Sequence, residues 1–241
     1  MKSFISEDNI EQAICNRLSQ PEYGWKRIEC SPELEDQDEV ASTGRANASE
    51  CILPEVFLSA LRRLNPQIDD EILKNILQDF RKDYSGTDMV DTNYKFYNQI
   101  RNGIKVKTRN QHREDFDIVK LIDFDHPERN DFHCVNQMWI KGHFRYRRPD
   151  VLLFVNGLPV VFIELKNSTV KIEESYNKNL VSYRKDIPNI FAMNQICVLS
   201  NGLQTKIGAW NAGYEFFFEW LRVNNEKEKL NREEIAEHGL S

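Results

Sequence analysis

Apolar residues four apart, at Ile10, Ile14 and Leu18, follow the capping candidates Ser6 and Asp8, which predicts a helix running to about Leu18. Residues 31–49, crowded with Asp, Glu, Ser, Thr and Asn around a lone Gly44, read as an exposed loop. Pro54 suits a first helical position, so a second helix should start there and end near Asn65-Pro66. Ile72, Ile76, Leu77 and Phe80 predict the inner face of a third, over about residues 69–82. The period then shortens, and from about residue 93 the pattern is that of strands. Ile104, Val106 and Thr108 alternate with Lys105, Lys107 and Arg109, and residues 118–124, 132–140, 151–155 and 160–165 are short apolar or alternating runs. Residues 171–185 predict a crossover helix stopped by Ile187-Pro188, and residues 196–199, 203–207 and 216–220 predict three more strands. The order implies an α/β fold: a mixed sheet with helices against both faces and a helical N-terminal part. The domain expectation is one unit over residues 1–222, mostly helical to 92 and sheet-forming from 93, then a charged helix over 223–241 leading elsewhere.

Composition adds little. The chain has 241 residues, 40% hydrophobic and 29% charged, which suits an ordinary globular domain and excludes a disordered or collagenous chain. Nothing approaches a run of eighteen apolar residues, so no membrane span is expected. The start, MKSFISEDNIEQ, lacks the apolar stretch of a signal peptide. Five cysteines without a CxxC pair read as buried thiols in a reducing cytoplasm. A net charge of −6 argues against a protein coated in polyanion, though local basic stripes can still meet nucleic acid. The five histidines show no ligand spacing, and no GxxxxGK[ST] sequence is present.

The chemistry concentrates in RRPDVLLFVNGLPVVFIELKN, residues 147–167. Asp150 precedes five apolar residues and an Asn156-Gly157 turn, and a second apolar run ends in Glu164-Leu165-Lys166. Side chains two apart on a strand share a face, so Glu164 and Lys166 point together. Two carboxylates converging at a strand end suit Mg²⁺, which takes one or two carboxylates plus water and phosphate oxygens. A nearby lysine would orient or deprotonate the attacking water and neutralise phosphate. Parity restricts the geometry. A plain two-residue hairpin would pair Val155 with Leu158 and Asp150 with Ile163, throwing Glu164 onto the opposite face. A shared site requires an odd offset, from a three-residue Asn156-Gly157-Leu158 loop or a bulge further along. The bland alternative is an exposed Glu164–Lys166 pair with Asp150 capping a turn.

This block resembles the PD-(D/E)xK nuclease motif. Together with VKLIDFDHPERNDFHCVNQMWIKG, YNKNLVSYRKDIPNIF and VLSNGLQTKIGAW, it is similar to the N-terminal nuclease domain of the restriction (R, HsdR-type) subunit of type I restriction-modification enzymes, most closely over residues 104–220. The resemblance implies a restriction-endonuclease-like sheet and Mg²⁺-dependent cutting of double-stranded DNA. Asp150, Glu164 and Lys166 match the catalytic triplet, with the Leu165 carbonyl a further metal ligand. Glu11 matches an acidic position supporting the metal, with a solvated helix carboxylate the alternative. The family's Gln-x-x-x-Tyr motif falls on Asn179 and Tyr183; the shorter Asn is expected to risk falling short, and Tyr183 has a packed aromatic as its alternative. Lys141, Arg145, Arg147 and Arg148 form one candidate stripe for the DNA backbone. Lys105 and Lys107, with Arg109, form a second, for which a solvated strand face is the favoured reading.

Whole R subunits continue into an ATP-driven translocase and work with specificity and methyltransferase subunits, so the resemblance implies a fragment whose cutting follows translocation by domains outside it. Two rivals remain at this stage: a catalytically silent docking module, and a self-sufficient nuclease that cuts with metal alone.

Overall fold

Ser6 accepts a hydrogen bond at Oγ from the Asn9 N–H at 3.2 Å and opens helix α1 (Glu7–Leu18), whose buried face is Ile10, Glu11, Ile14 and Cys15. The computed structural model describes residues 6–30, 40, 42–110 and 113–220. After α1 comes a short strand β1 (Lys26–Glu29), then helices α2 (Pro54–Leu64), α3 (Asp70–Phe80) and α4 (Met89–Asn102). Pro54 stands at the start of α2, and the Asp69 and Asp88 carboxylates cap α3 and α4. Strands β2 (Ile104–Asn110) and β3 (Arg113–Val119) form a separate two-stranded hairpin, as do the short β5 (Ile140–Lys141) and β6 (Tyr146–Arg147).

The remaining strands are β4 (Phe132–Asn136), β7 (Val151–Val155), β8 (Leu158–Leu165), β9 (Ile196–Ser200), β10 (Thr205–Gly208) and β11 (Phe218–Glu219). With β1 they make a seven-stranded mixed sheet in the order β1-β4-β7-β8-β9-β10-β11. β1–β4 and β8–β9 are parallel and the other pairs antiparallel. The parallel β8–β9 pair needs a crossover, supplied by helix α5: an α-helical turn Ile172–Glu174, a π-helical stretch Ser175–Leu180 and a final Val181–Asp186. The expected α/β architecture is therefore present.

Pleat alternation divides the apolar side chains between two layers. Val151, Ile163, Leu165 and Val198 pack with Ile10, Ile14 and Cys15 of α1. Leu152, Phe154, Phe162, Cys197 and Leu199 pack with Leu180 and Tyr183 of α5 and with Ile187 just after it. A third cluster joins α2, α3 and α4 to Leu158 and Val160 at the start of β8. All five cysteines are buried free thiols. Among the described residues no helix is long and apolar enough to cross a membrane.

Several expectations need correction. The change to strands comes at Ile104, because α4 runs to Asn102. The expected strand over 118–124 ends at Val119, and the run over 132–140 breaks at Asn136, where Gln137 takes a positive φ of 58°. The last expected strand shrinks to Phe218–Glu219 behind a 3₁₀ turn. The exposed loop expected over 31–49 is buried at Thr43 and Arg45; the Arg45 guanidinium donates to the carbonyls of Glu50 and Trp139. Residues 31–39, and the charged helix expected over 223–241, lie outside the described residues.

Candidate active site

The β7–β8 hairpin decides whether Asp150 and Glu164 meet. Its turn is the two-residue Asn156-Gly157, with φ of 50° and 80°, and Val155 pairs directly with Leu158. Asn156 suits this left-handed position because its amide is fully used, donating to the Leu121 carbonyl and Asn130 Oδ1 and accepting from the Asp131 N–H. Gly157 is required twice over, since a Cβ there would stand 2.6 Å from the Leu53 carbonyl oxygen. Phe154 still pairs with Pro159, but Leu153 pairs with Val161, so Val160 is the extra residue of a β-bulge. The odd offset is thus present, carried by a bulge further along the strand. Beyond the Val151–Ile163 pair, Asp150 falls opposite Glu164, and both belong to the α5 face with Leu152 and Phe162.

Asp150 Oδ2 accepts from the Leu165 N–H at 2.7 Å, locking the end of one strand to the other. Glu164 is 1% exposed; its Oε1 accepts from Lys166 Nζ at 3.2 Å and from Asn179 Nδ2, while its Oε2 is buried with no partner among the described residues. Lys166 Nζ also donates to the Leu165 carbonyl at 2.7 Å and lies 3.6 Å from Glu7 Oε2. The ammonium therefore sits on two of the three groups expected to ligate a metal, Glu164 and the Leu165 carbonyl.

Burial pushes the Asp150 carboxyl up to about 6, against the Leu165 N–H and Lys166, which pull it down. Burial and then the neighbouring Asp150 push Glu164 up to about 8. For Lys166, burial alone would lower the pKa; Glu164, Asp150 and Glu7 outweigh it and raise it, keeping the ammonium charged. Burial likewise raises the Tyr183 phenol, which stays neutral and reaches the Arg148 carbonyl at 3.3 Å.

Asn179 was expected to risk falling short, yet its amide reaches Glu164. The reason lies in α5: Asn179 sits within the wide π-helical stretch beside β8, a geometry that often marks functional sites. Tyr183 is buried against Phe162, their rings 5.5 Å apart, so the packed aromatic named as its alternative is present. Glu11 is not a solvated carboxylate. It is 5% exposed and accepts at Oε1 from Asn136 Nδ2 at 2.9 Å and at Oε2 from Gln137 Nε2. Its charge is close enough to push Asp150 upward. Among the described residues no group of three or more His, Cys, Asp or Glu gathers as a metal-holding cluster, so the strand-end carboxylates are two.

Of the basic candidates, Lys141 and Arg145 are exposed, whereas Arg147 is ion-paired with Asp186 at 2.5 Å and Arg148 lies over the Trp139 ring. Lys105 and Lys107 occupy an exposed face of the separate β2–β3 hairpin, Lys105 lying over the Phe116 ring at 4.3 Å. The Arg109 side chain lies outside the described residues. Three site residues escaped the sequence reading: Glu7, Asn136 and Gln137. Glu7 carried a signal, since it lies one helical turn before Glu11.

The family model for the type I restriction enzyme R protein N terminus matches residues 4–216. The type I restriction enzyme HindI endonuclease subunit of Haemophilus influenzae is 30% identical over 233 residues, which is 95% of this chain and 21% of that protein. A Methanocaldococcus jannaschii protein named for the MjaIXP endonuclease subunit is 29% identical over 232 residues, 92% of this chain and 21% of the relative. The SsaAORF53P endonuclease subunit of Staphylococcus saprophyticus is 30% identical over 117 residues, 47% of this chain and 12% of its own.

Proposed function

Because the chain belongs to the family of type I restriction enzyme R protein N termini, and spans about a fifth of the first curated relatives it matches, we propose that it is the Mg²⁺-dependent endonuclease domain of an R subunit, hydrolysing DNA phosphodiester bonds. The observation that carries this reading is the bulge at Val160, which sets Asp150 opposite Glu164, whose buried Oε2 has no partner among the described residues. Two carboxylates pushed upward by burial form a site that a divalent cation relieves. Asp150, Glu164 and the Leu165 carbonyl are the residues that would hold it. The bound ion would supply Lewis-acid polarisation of the scissile phosphate.

The remaining chemistry falls to side chains on the page. Held charged by Glu164, Asp150 and Glu7, Lys166 acts as a donor: it orients the attacking water and stabilises charge growing on the phosphate. Removing a proton from that water would require a neutral amine, which this surrounding disfavours. Asn179 fixes the rotamer of Glu164, and Tyr183 holds the turn before Asp150 through the Arg148 carbonyl. An amide that reaches Glu164 speaks against a silent docking module, which the shorter Asn179 had favoured.

In the full assembly, cutting of double-stranded DNA in the cytoplasm follows ATP-driven translocation by the rest of the R subunit, with specificity and methyltransferase subunits choosing the site. The test is Lys166→Ala in the assembled enzyme. ATP hydrolysis and translocation should continue while cleavage falls at least a hundredfold; undiminished cleavage would remove the proposal.

A further inference from the structure

The basic segment entering Asp150 divides into a clamped root and a free tip. At the root, Arg147 Nε donates to Asp186 Oδ2 at 2.7 Å, and the Lys141 N–H donates to the Ala48 carbonyl at 2.8 Å. The Gly142 N–H donates to the Arg145 carbonyl at 2.8 Å, and a Cβ on Gly142 would stand 1.7 Å from the Asp186 carbonyl oxygen. The β5–β6 hairpin is thus wedged between the loop before α2 and the end of α5, and residues 143–145 project beyond it.

At that tip Phe144 is 94% exposed, more than any other large hydrophobic residue among those described. Its ring meets only His143, edge-on at 5.8 Å, among the aromatic contacts. The other strongly exposed phenylalanines stand beside acids: Phe116 between Asp115 and Asp117, Phe124 between Asp123 and Asp125, Phe216 after Glu215 and Phe218 before Glu219. Phe144 instead lies in a stretch from Ile140 to Pro149 with no acid, between exposed Lys141 and Arg145. An unburied aromatic ring on a rigid, wholly basic hairpin complements a polyanion that carries stacked apolar planes.

Resting on the nuclease reading above, we propose that the β5–β6 hairpin is a DNA-engaging finger. Lys141 and Arg145 straddle backbone phosphates, and Phe144 presses into the minor groove against a base step. Apolar wedges of this kind partly unstack a step, and flanking cations hold the register. Phe144 lies six positions before Asp150, a backbone reach of at most about 20 Å. At about 3.4 Å per base pair, the wedged step lies within about six pairs of the scissile phosphate.

The test is binding of this chain, without divalent metal so that nothing is cut, to a short duplex carrying 2-aminopurine, followed by anisotropy and by fluorescence of the analogue. The wild-type chain should raise the fluorescence by unstacking. Phe144→Ala should weaken binding about fivefold or more and abolish the rise, and Phe144→Trp should keep both. Phe144→Ala matching wild type in affinity and fluorescence would overturn the finger and turn the hairpin towards a protein partner. A wild-type chain that binds no duplex would also overturn the finger, whereas the nuclease reading stands or falls separately on Lys166→Ala in the assembled enzyme.

Discussion

Asp150 and Glu164 are held where water would not leave them: burial favours their protonated forms over the carboxylates that chemistry requires. The consequence for stability has a definite sign. A carboxyl whose folded pKa exceeds its unfolded one binds more protons in the native state, so stability falls as pH rises between the two values. For Asp150 that window runs from 3.8 to about 6, and for Glu164 from 4.5 to about 8. Asp150→Asn keeps an oxygen for the Leu165 N–H while removing the charge. Without metal at pH 8 it should be more stable than wild type by roughly 1–3 kcal/mol, with the difference vanishing near pH 4, as followed by thermal unfolding. Asn179→Ala deletes a donor to Glu164 and should weaken divalent-metal binding about tenfold, as measured by calorimetry. The convergence of Asp150, Glu164 and Lys166 was legible, because strand parity and an apolar run ending in charge are local signals. Asn136 and Gln137 were not. They reach Glu11 across more than a hundred residues of chain, and nothing in the sequence marks that contact.

The hairpin of β7 and β8 does for the site what no single residue could. Its bulge takes up Val160 as the one residue that would otherwise shift the register, so deleting Val160 should straighten the ladder and leave Asp150 opposite Glu164. The folded deletion variant should keep metal binding by calorimetry; loss of binding with the fold intact by circular dichroism would contradict the register argument. Gly157→Ala should cost about 1–3 kcal/mol in denaturant unfolding, because the new methyl meets the Leu53 carbonyl in a left-handed turn. Parity showed that an offset had to exist, but not whether the turn or the strand supplied it, because both solutions satisfy one hydrophobic pattern. Helix α4 was obscured for a different reason. Val90, Tyr94 and Tyr97 stand on its exposed side and blur the contrast between its faces. Strand β1 offered only Ile28 as an apolar position, and it forms because β4 accepts it in parallel register.

At the scale of the molecule, one sheet gathers the site from both ends of the described chain. α1 brings Glu7 and Glu11 from one face, α5 brings Asn179 and Tyr183 from the other, and β7 and β8 end between them. The central claim is that a divalent cation replaces the Lys166 ammonium on the oxygens at that meeting point. It is tested most directly by titrating Mn²⁺ or Mg²⁺ into the chain and into Asp150→Ala and Glu164→Ala in a calorimeter. Saturable heat from the wild-type chain that disappears in both variants is the expected result. Heat that survives both substitutions unchanged would place the ion elsewhere and contradict the account.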